Sequence, residues 1–447
     1  MPEESKRKDS FDPRSYGAMA DGHSKDTAAV QAAIDAAAAQ GGTVRLAGGT
    51  FVCGTLYLKS NVALEITNSA TLLASPDIAD YGTDTHHNRY RNEPELDRCF
   101  LFAQDAENVT ICGSGVIDGN AAAFPNAGSI YRPMLLRVLR CRNVRVQNLR
   151  LLNAAAWTTA FLDSDFIWAT DLHIENHRNY NGDGLDFDGC RHVWVRGCYI
   201  DGTDDNLCLQ SSGLPVQDVH ISDCAFTSVC AGIRIGLKSI GEISGVVISN
   251  CTMRNIWREG IKLECTEGGS ITDILAENVT MHNVRRPIFA ILNNRYRPDD
   301  LGSSVELDHI PPIGTMARLR FVGITAVDDE EMTHAQRRFD NDIMGEPRFG
   351  GCRFDANAAH PMQDVTIRDF SYTAIGGVRF ADLPAAPYPE VPDRLQAPTT
   401  HGSENYYPNW SRTTHLDARY VRGLTLENLH FITLHSDERP KMLTEVF

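Results

Sequence analysis

A short apolar strand, then Asn, Asp or Gly, then an apolar slot: this unit recurs along most of the chain. It reads Asn143-Val144-Arg145-Val146-Gln147-Asn148-Leu149, then Val193-Trp194-Val195-Arg196-Gly197-Cys198, then Val219-His220-Ile221-Ser222-Asp223-Cys224. Later copies include Val246 to Cys251, Ile274 to Val279, Val365 to Phe370 and Leu424 to Leu429. The slot runs Leu149, Leu172, Cys198, Cys224, Cys251, Val279, Ile324, Phe370, Leu429. Successive slots are 23, 26, 26, 27 and 28 residues apart, then 45, 46 and 59, where loops must be inserted. A fixed period of about two dozen residues marks a solenoid, in which residues one repeat apart stack side by side. The strands alternate apolar with polar and are rich in Val and Ile, as half-buried β-strands are. The pattern predicts an all-β fold, a right-handed parallel β-helix. A β-sandwich has no such repeat.

Asn and Asp at the corners suit tight bends because they tolerate left-handed backbone angles. Residues 26–36 are Ala-rich and predict a helix, with Asp26 near its start and Gly41-Gly42 beyond its end. A solenoid must cover its first coil, so this helix is expected to be the N-terminal cap. Strands are expected over 43–46 and 50–58. Because a solenoid grows along one axis, the 447 residues are read as a flexible segment, 1–10, and a single β-helix domain, 11–447. Residues 326–360 and 373–420 contain long irregular stretches of the kind that carry function. Tyr406-Tyr407-Pro408-Asn409-Trp410 within them offers aromatic rings that stack on sugar or pin the loop.

Cys198, Cys224 and Cys251 share the slot of successive coils and are expected as a buried thiol ladder. Coil spacing leaves them near enough for a disulfide. No Cys or Cys/His spacing suggests zinc, so no metal and no cofactor is expected. Cys208, Cys230 and Cys265 lie near the acidic motifs and are read as packing. The formal charge of -16 disfavours nucleic acid and anionic membranes as partners. No run reaches the ~18 apolar residues of a spanning helix. Met1 to Ser10 lacks the apolar centre of a signal peptide, which points to the cytoplasm. The oligomeric state is not legible.

Two acidic motifs sit one repeat apart: Asn181-Gly182-Asp183-Gly184-Leu185-Asp186 and Thr203-Asp204-Asp205-Asn206. Stacking should bring Asp183, Asp204 and Asp205 to one face. Hydrolysis of a glycoside needs one protonated carboxyl for the leaving oxygen and one ionised carboxylate to activate water or attack. Packed carboxylates cannot all ionise comfortably, which supplies the acid. The competing readings are corner residues or a calcium site. Asp186 is expected to support the site or to bind substrate.

With Phe11 to Ala18, Asp21-Gly22, Gly41 to Val44, Ser114 to Gly119 and Asn153 to Trp157, these motifs resemble glycoside hydrolase family 28, the polygalacturonases and rhamnogalacturonases. The resemblance covers about residues 11 to 435. It implies inversion, with Asp204 as general acid and Asp183 and Asp205 holding the water. Asn181-Gly182-Asp183-Gly184 matches the family's Asn-Thr-Asp-Gly. Thr203-Asp204-Asp205 matches Gly-Asp-Asp. The family's Gly-His-Gly is Cys230-Ala231-Gly232 here, so the histidine is lost. Its Arg-Ile-Lys, which grips the galacturonate carboxylate, becomes Lys262-Leu263-Glu264.

Aligning Gly184, Gly232 and Gly260 puts Asp186, Arg234 and Lys262 on one column, one coil apart each. Lys262 is then the leading cationic sugar contact. Arg234 either replaces the lost histidine, grips an acidic sugar or bridges to Asp186. Glu264 would repel a uronate and accept hydroxyls from a neutral sugar. Further substrate contacts are expected from Arg286, Asn293, Asn294, Arg295, Trp257, Tyr180, His177 and Asn181. The expected partner is an oligosaccharide other than plain polygalacturonate. A lyase or uronate epimerase, and a carbohydrate-binding β-helix without catalysis, stay open at this point.

Overall fold

The alternating residues of the repeat become short strands, each paired in parallel with the strand one coil away. Inward side chains form the core: Val219, Val246, Ile274 and Leu319 stand in register on successive coils and are buried. Outward neighbours such as Asp218 and Asp273 are exposed. The architecture, seen in a computed structural model, is a right-handed parallel β-helix, the hand that parallel crossovers adopt. It describes residues 10–85, 97–125, 132–296, 307–329, 349–385 and 410–446. Of the segment 1–10 expected to be flexible, residues 1–9 lie outside the described residues, as do 406–409 of the aromatic run, whereas Ser10 is in a strand with Phe11, paired to Thr43 and Val44. Among those described, no helix is long and apolar enough to cross a membrane.

Contacts group the chain into two compact units. One holds Met1–His87, Glu95–Gly182 and His192–Tyr199; the other holds Asn88–Pro94, Asp183–Arg191 and the chain from Ile200.

The first unit carries the expected cap. Helix α1 (Thr27–Gln40) buries Ala29, Val30, Ala33, Ile34 and Ala37. It ends at Gly41, whose φ of 72° lets its N–H reach the Ala37 carbonyl. Asp26 does not cap the helix with its side chain; its carboxylate accepts from Met19 N and Ala20 N at 2.7 and 3.0 Å, tying the chain entry down. The expected first strands form as Thr43–Leu46, Gly49–Cys53 and Leu56–Leu58. The apolar slot stacks, with His173 N bound to Leu149 O and Tyr199 N to Leu172 O. On the outside, Arg145 covers Trp168 at 3.8 Å and Trp168 stacks on Trp194 at 5.0 Å.

In the second unit the slot continues through Val279, Ile324, Phe370 and Leu429 in strict register. Cys224 and Cys251 precede the paired residues Ala225 and Thr252, as the ladder reading expected. Their thiols donate to the carbonyls two residues back, Ser222 at 3.2 Å and Ser249 at 3.3 Å. Cys198 in the first unit does the same to Arg196 at 3.5 Å. All twelve cysteines are free. The corners are mostly Asn, Asp or Gly with positive φ. Asn278 Nδ2 donates to Asn250 Oδ1 at 2.6 Å, and both have φ near 55°.

Candidate active site

The second unit builds its site on one column of outward-facing positions. Strand β1 (Leu185–Asp188) pairs with β2 (Leu207–Ser211), and β2 with β3 (Ile233–Ser239). Strand β3 pairs with β4 (Thr252–Cys265), β4 with β5 (Ser270–Leu292) and β5 with β6 (Cys352–Asp355). The inward residues Leu185, Phe187, Leu207, Leu209, Ile233, Ile235, Ile261 and Leu263 are fully buried and fix the register. Between them, Asp186, Cys208, Arg234, Lys262, Phe289 and Arg353 line up across the strands.

This column corrects the sequence alignment in one respect. Arg234 stands two coils beyond Asp186, with Cys208 between them. Gly184 stacks against Asn206, not Gly232: a Cβ on Gly184 would lie 2.3 Å from the Asn206 carbonyl oxygen. Gly232 and Gly260 do adjoin, and Arg234 does face Lys262.

The turn carrying the paired aspartates is held from several sides. Asn206 Nδ2 donates to Ile200 O at 3.1 Å and Thr227 O at 2.7 Å. Ser228 Oγ donates to the Asp204 carbonyl and accepts from Cys230 N at 2.8 Å. Asp205 is spoken for at both oxygens: Ala231 N donates to Oδ1 at 3.1 Å, and Arg234 Nη1 lies 2.7 Å from Oδ2. The residue standing where the family resemblance expects histidine thus contributes through its backbone. Asp205 N in turn donates to Asp204 Oδ1 at 3.0 Å.

The four aspartates differ in exposure and charge. Asp183, Asp186 and Asp205 are at most 2% exposed, whereas Asp204 is half-buried. Burial, then the charges of Asp204, Asp186 and Asp205, pushes Asp183 well above the ordinary carboxylate range. Burial likewise raises Asp186, against the pull of Cys208 and Arg234. For Asp205 burial pushes upward, but Arg234, Lys262 and Arg258 outweigh it and hold the group below its ordinary value. Within one cluster, then, two carboxyls are pushed above their ordinary range and one is held below it.

The expected sugar-gripping cations are all committed elsewhere. Lys262 is fully buried, with Nζ 3.4 Å from Glu264 and 3.7 Å from Glu259. Glu259 also pairs with Arg286 at 3.2 Å and lies 3.6 Å from Arg258. Arg295 pairs with Glu267 at 2.7 Å. The expected Arg234–Asp186 bridge is replaced by Arg234–Asp205. Asn294 is structural: its Nδ2 donates to Pro311 O at 2.6 Å and its Oδ1 accepts from Tyr296 N at 2.8 Å. Asn293 is buried with neither amide atom hydrogen-bonded. Trp257 is buried under the Arg285 guanidinium, 5.0 Å from its ring centre.

Three candidates belong to the first unit. There Arg132, fully buried, donates to Tyr180 O at 2.7 Å and to Asn181 Oδ1 at 2.9 Å. Asn181 has φ 54°, and its side chain serves the bend. His177 is half-buried. Sequence reasoning missed Glu259 and Ser228. Glu259 follows a register shift between Ile256 and Glu259 that plain alternation does not reveal.

The profile of glycosyl hydrolases family 28 matches residues 50–306, more than half of the chain. The chain belongs to that family. A probable polygalacturonase of Vitis vinifera is 26% identical over 58% of this chain and 58% of its own length. An exo-poly-alpha-D-galacturonosidase of Dickeya chrysanthemi is 25% identical over 43% of this chain and 40% of its own length. The chain thus spans about half the length of the curated relatives it matches. Its fold also superposes on solved structures of polygalacturonases. An exopolygalacturonase from Thermotoga maritima matches with TM-score 0.67 at 18% identity, covering 95% of this chain and 92% of that one. A polygalacturonase from Erwinia carotovora ssp. carotovora matches with TM-score 0.64 at 19% identity, covering 83% and 95%. At such identities these likenesses speak to the fold alone.

Proposed function

We propose that this chain hydrolyses an α-linked glycosidic bond in a pectin-related oligosaccharide. The observation that carries the reading is the division of labour in the acidic cluster. Three aspartates are buried, one of them held ionised by Arg234, while Asp204 alone is half open to solvent. Asp204 is the one of the four open enough to reach a leaving oxygen as the acid, and Asp205, held ionised, is the one that can activate water. Asp183 and Asp205 then hold the attacking water on the other side. Inversion of the anomeric centre is taken from the family resemblance, since inverting and retaining sites differ in carboxyl spacing.

The sugar next to the scissile bond is neutral in this reading. Arg234, Lys262 and Arg295 each already face a buried carboxylate. Recruiting one of them for a uronate would strand its present partner without a cation, at a cost of about 3–5 kcal/mol. A neutral sugar makes no such demand on the buried ion pairs and leaves Lys262–Glu264 intact. The test compares hydrolysis of homogalacturonan oligomers with that of neutral α-glycosides such as rhamnosides and galactosides, with product anomers followed by NMR. Faster cleavage of a neutral glycoside, with inverted product, is expected. Preference for homogalacturonan oligomers would sink the neutral-sugar reading, and a retained anomer the inverting one.

A further inference from the structure

Two thiol–carboxylate clusters occupy neighbouring coils, and they differ in how far they are satisfied. In one, Asp204, Asp205 and Cys230 bring their donor atoms within 4.8 Å of one another. Its groups are engaged: Asp205 binds Ala231 N and Arg234, and Cys230 Sγ accepts from Arg258 Nη1 at 3.5 Å. In the other, Asp183, Asp186 and Cys208 also lie within 4.8 Å. Here Oδ1 of Asp183 is buried without a hydrogen-bond partner, and the two buried carboxylate oxygens of Asp186 have none but the facing Cys208 thiol, each aspartate being 2% exposed. Cys208 is fully buried and directly opposite Asp186 in the strand register. Buried carboxylate oxygens without partners are costly, and the hydrolytic roles proposed above leave Asp186 and Cys208 unused.

We propose that Asp183, Asp186 and Cys208 form a binding site for a single thiophilic dication of the Zn2+ or Cd2+ class. The donor set decides the class. One sulfur with two carboxylates suits a borderline or soft d10 ion, whereas Mg2+ and Ca2+ take oxygen ligands only. Tetrahedral ligation at ordinary metal–oxygen and metal–sulfur lengths places donors roughly 3.6 Å apart. From spacings of up to 4.8 Å, the donors therefore close by at most roughly 1.2 Å. Three protein ligands leave the fourth position to water. On binding, the metal–sulfur bond forms as the thiol proton leaves to solvent, and metal–oxygen bonds replace any carboxyl protons. Arg234, the next residue on the column, does not oppose the ion with a bare charge, because it is paired with Asp205. If Asp183 serves hydrolysis as proposed, the bound ion also blocks turnover; that consequence rests on the hydrolase reading, while the binding does not.

The experiment titrates the full chain with Cd2+ and follows the ultraviolet sulfur-to-cadmium charge-transfer absorbance alongside calorimetry. One ion per chain is expected, with the absorbance present in the native protein and in Cys230→Ala but absent in Cys208→Ala. Cys208→Ser, a smaller perturbation, is included with circular dichroism as a check on folding. It should lose the absorbance and bind at least tenfold more weakly. Asp186→Asn should keep the absorbance but also bind at least tenfold more weakly. A signal that survives in Cys208→Ser, or vanishes in Cys230→Ala, overturns the assignment, as does the lack of a one-to-one site in the native chain. Inhibition of glycoside cleavage by Cd2+, relieved by a chelator and lost in Cys208→Ser, is measured separately. Binding without inhibition would leave the metal site standing and count against Asp183 as a hydrolytic group.

Discussion

Two columns of the second unit obey the same coil geometry and look entirely different. Along the slot column, Cys224, Cys251, Val279, Ile324, Phe370 and Leu429 repeat one chemistry, and the corner asparagines Asn250 and Asn278 hydrogen-bond to their own kind. Along the site column, Asp186, Cys208, Arg234, Lys262, Phe289 and Arg353 never repeat a residue on adjacent coils. A stack of like side chains is satisfied by its own neighbours and asks nothing of a ligand. A stack of unlike charged groups costs desolvation at every coil, and a fold retains it only where the chemistry is used. In a solenoid, departure from the repeat is therefore the sign of function.

The sharpest way to break this comparison is at Asp204. Asp204→Asn should lower kcat by ~10²–10⁴-fold, as loss of a general acid does, with an unchanged melting temperature. Near-normal turnover on a substrate with a poor leaving group would remove Asp204 from the mechanism. The next effect belongs to Arg234. Arg234→Met strands Asp205 in the interior and should destabilise by about 3–5 kcal/mol at neutral pH. Asp205 has a depressed carboxyl pKa in the folded state, so its stabilising contribution is present above the unfolded value of ~3.9 and is lost as pH falls through the folded one. The gap between native and Arg234→Met in urea denaturation should narrow toward acid pH. A gap that widens there would show that Arg234 acts otherwise.

Asp328 offers an intermediate case, a carboxyl inserted where alternation after the inward Ala326 calls for an apolar side chain. Tyr372 Oη donates to it at 2.9 Å, and burial raises its pKa to about 7. The folded value exceeds the unfolded one, so native stability should fall as pH rises from about 4 to 7, by at most ~1.4 kcal/mol per pH unit. Asp328→Asn should flatten that slope, and an unchanged slope would clear Asp328 of the effect. The smallest change is expected on the repeating side. Asn278→Gly keeps the left-handed corner, where φ is 55°, and removes one amide of the ladder. A loss of about 1 kcal/mol follows, with kinetics untouched. A loss of turnover there would erase the distinction between the two columns.

The repeat was legible because its slot is occupied by apolar residues on every coil, and the acidic motifs because they interrupt it at Asp183, Asp204 and Asp205. What misled was equally local. At the coil between Gly184 and Gly232 the glycine position is taken by Asn206, so an alignment on glycines skipped a coil and lost Cys208 from the column. Lys262 reads as a free cation because Glu264, two residues on, was set against the substrate; on a strand both side chains share a face and meet each other at 3.4 Å. Glu259 joins them only through the register shift in β4, which no periodicity announces.

Parallel stacking also bears on how the chain reaches this state. Arg234 and Lys262 are partners on adjacent coils, yet only 28 residues of chain separate them. Contacts of such short range in a chain of 447 residues give a low relative contact order. Folding can nucleate wherever one coil settles and then propagate outward by addition. The steps with inserted loops are the slow joints. Closing the 59 residues from Phe370 to Leu429 instead of 28 costs only about 0.6 kcal/mol more in loop entropy. A nascent chain can accordingly lay down its early coils while the last ones are still being made.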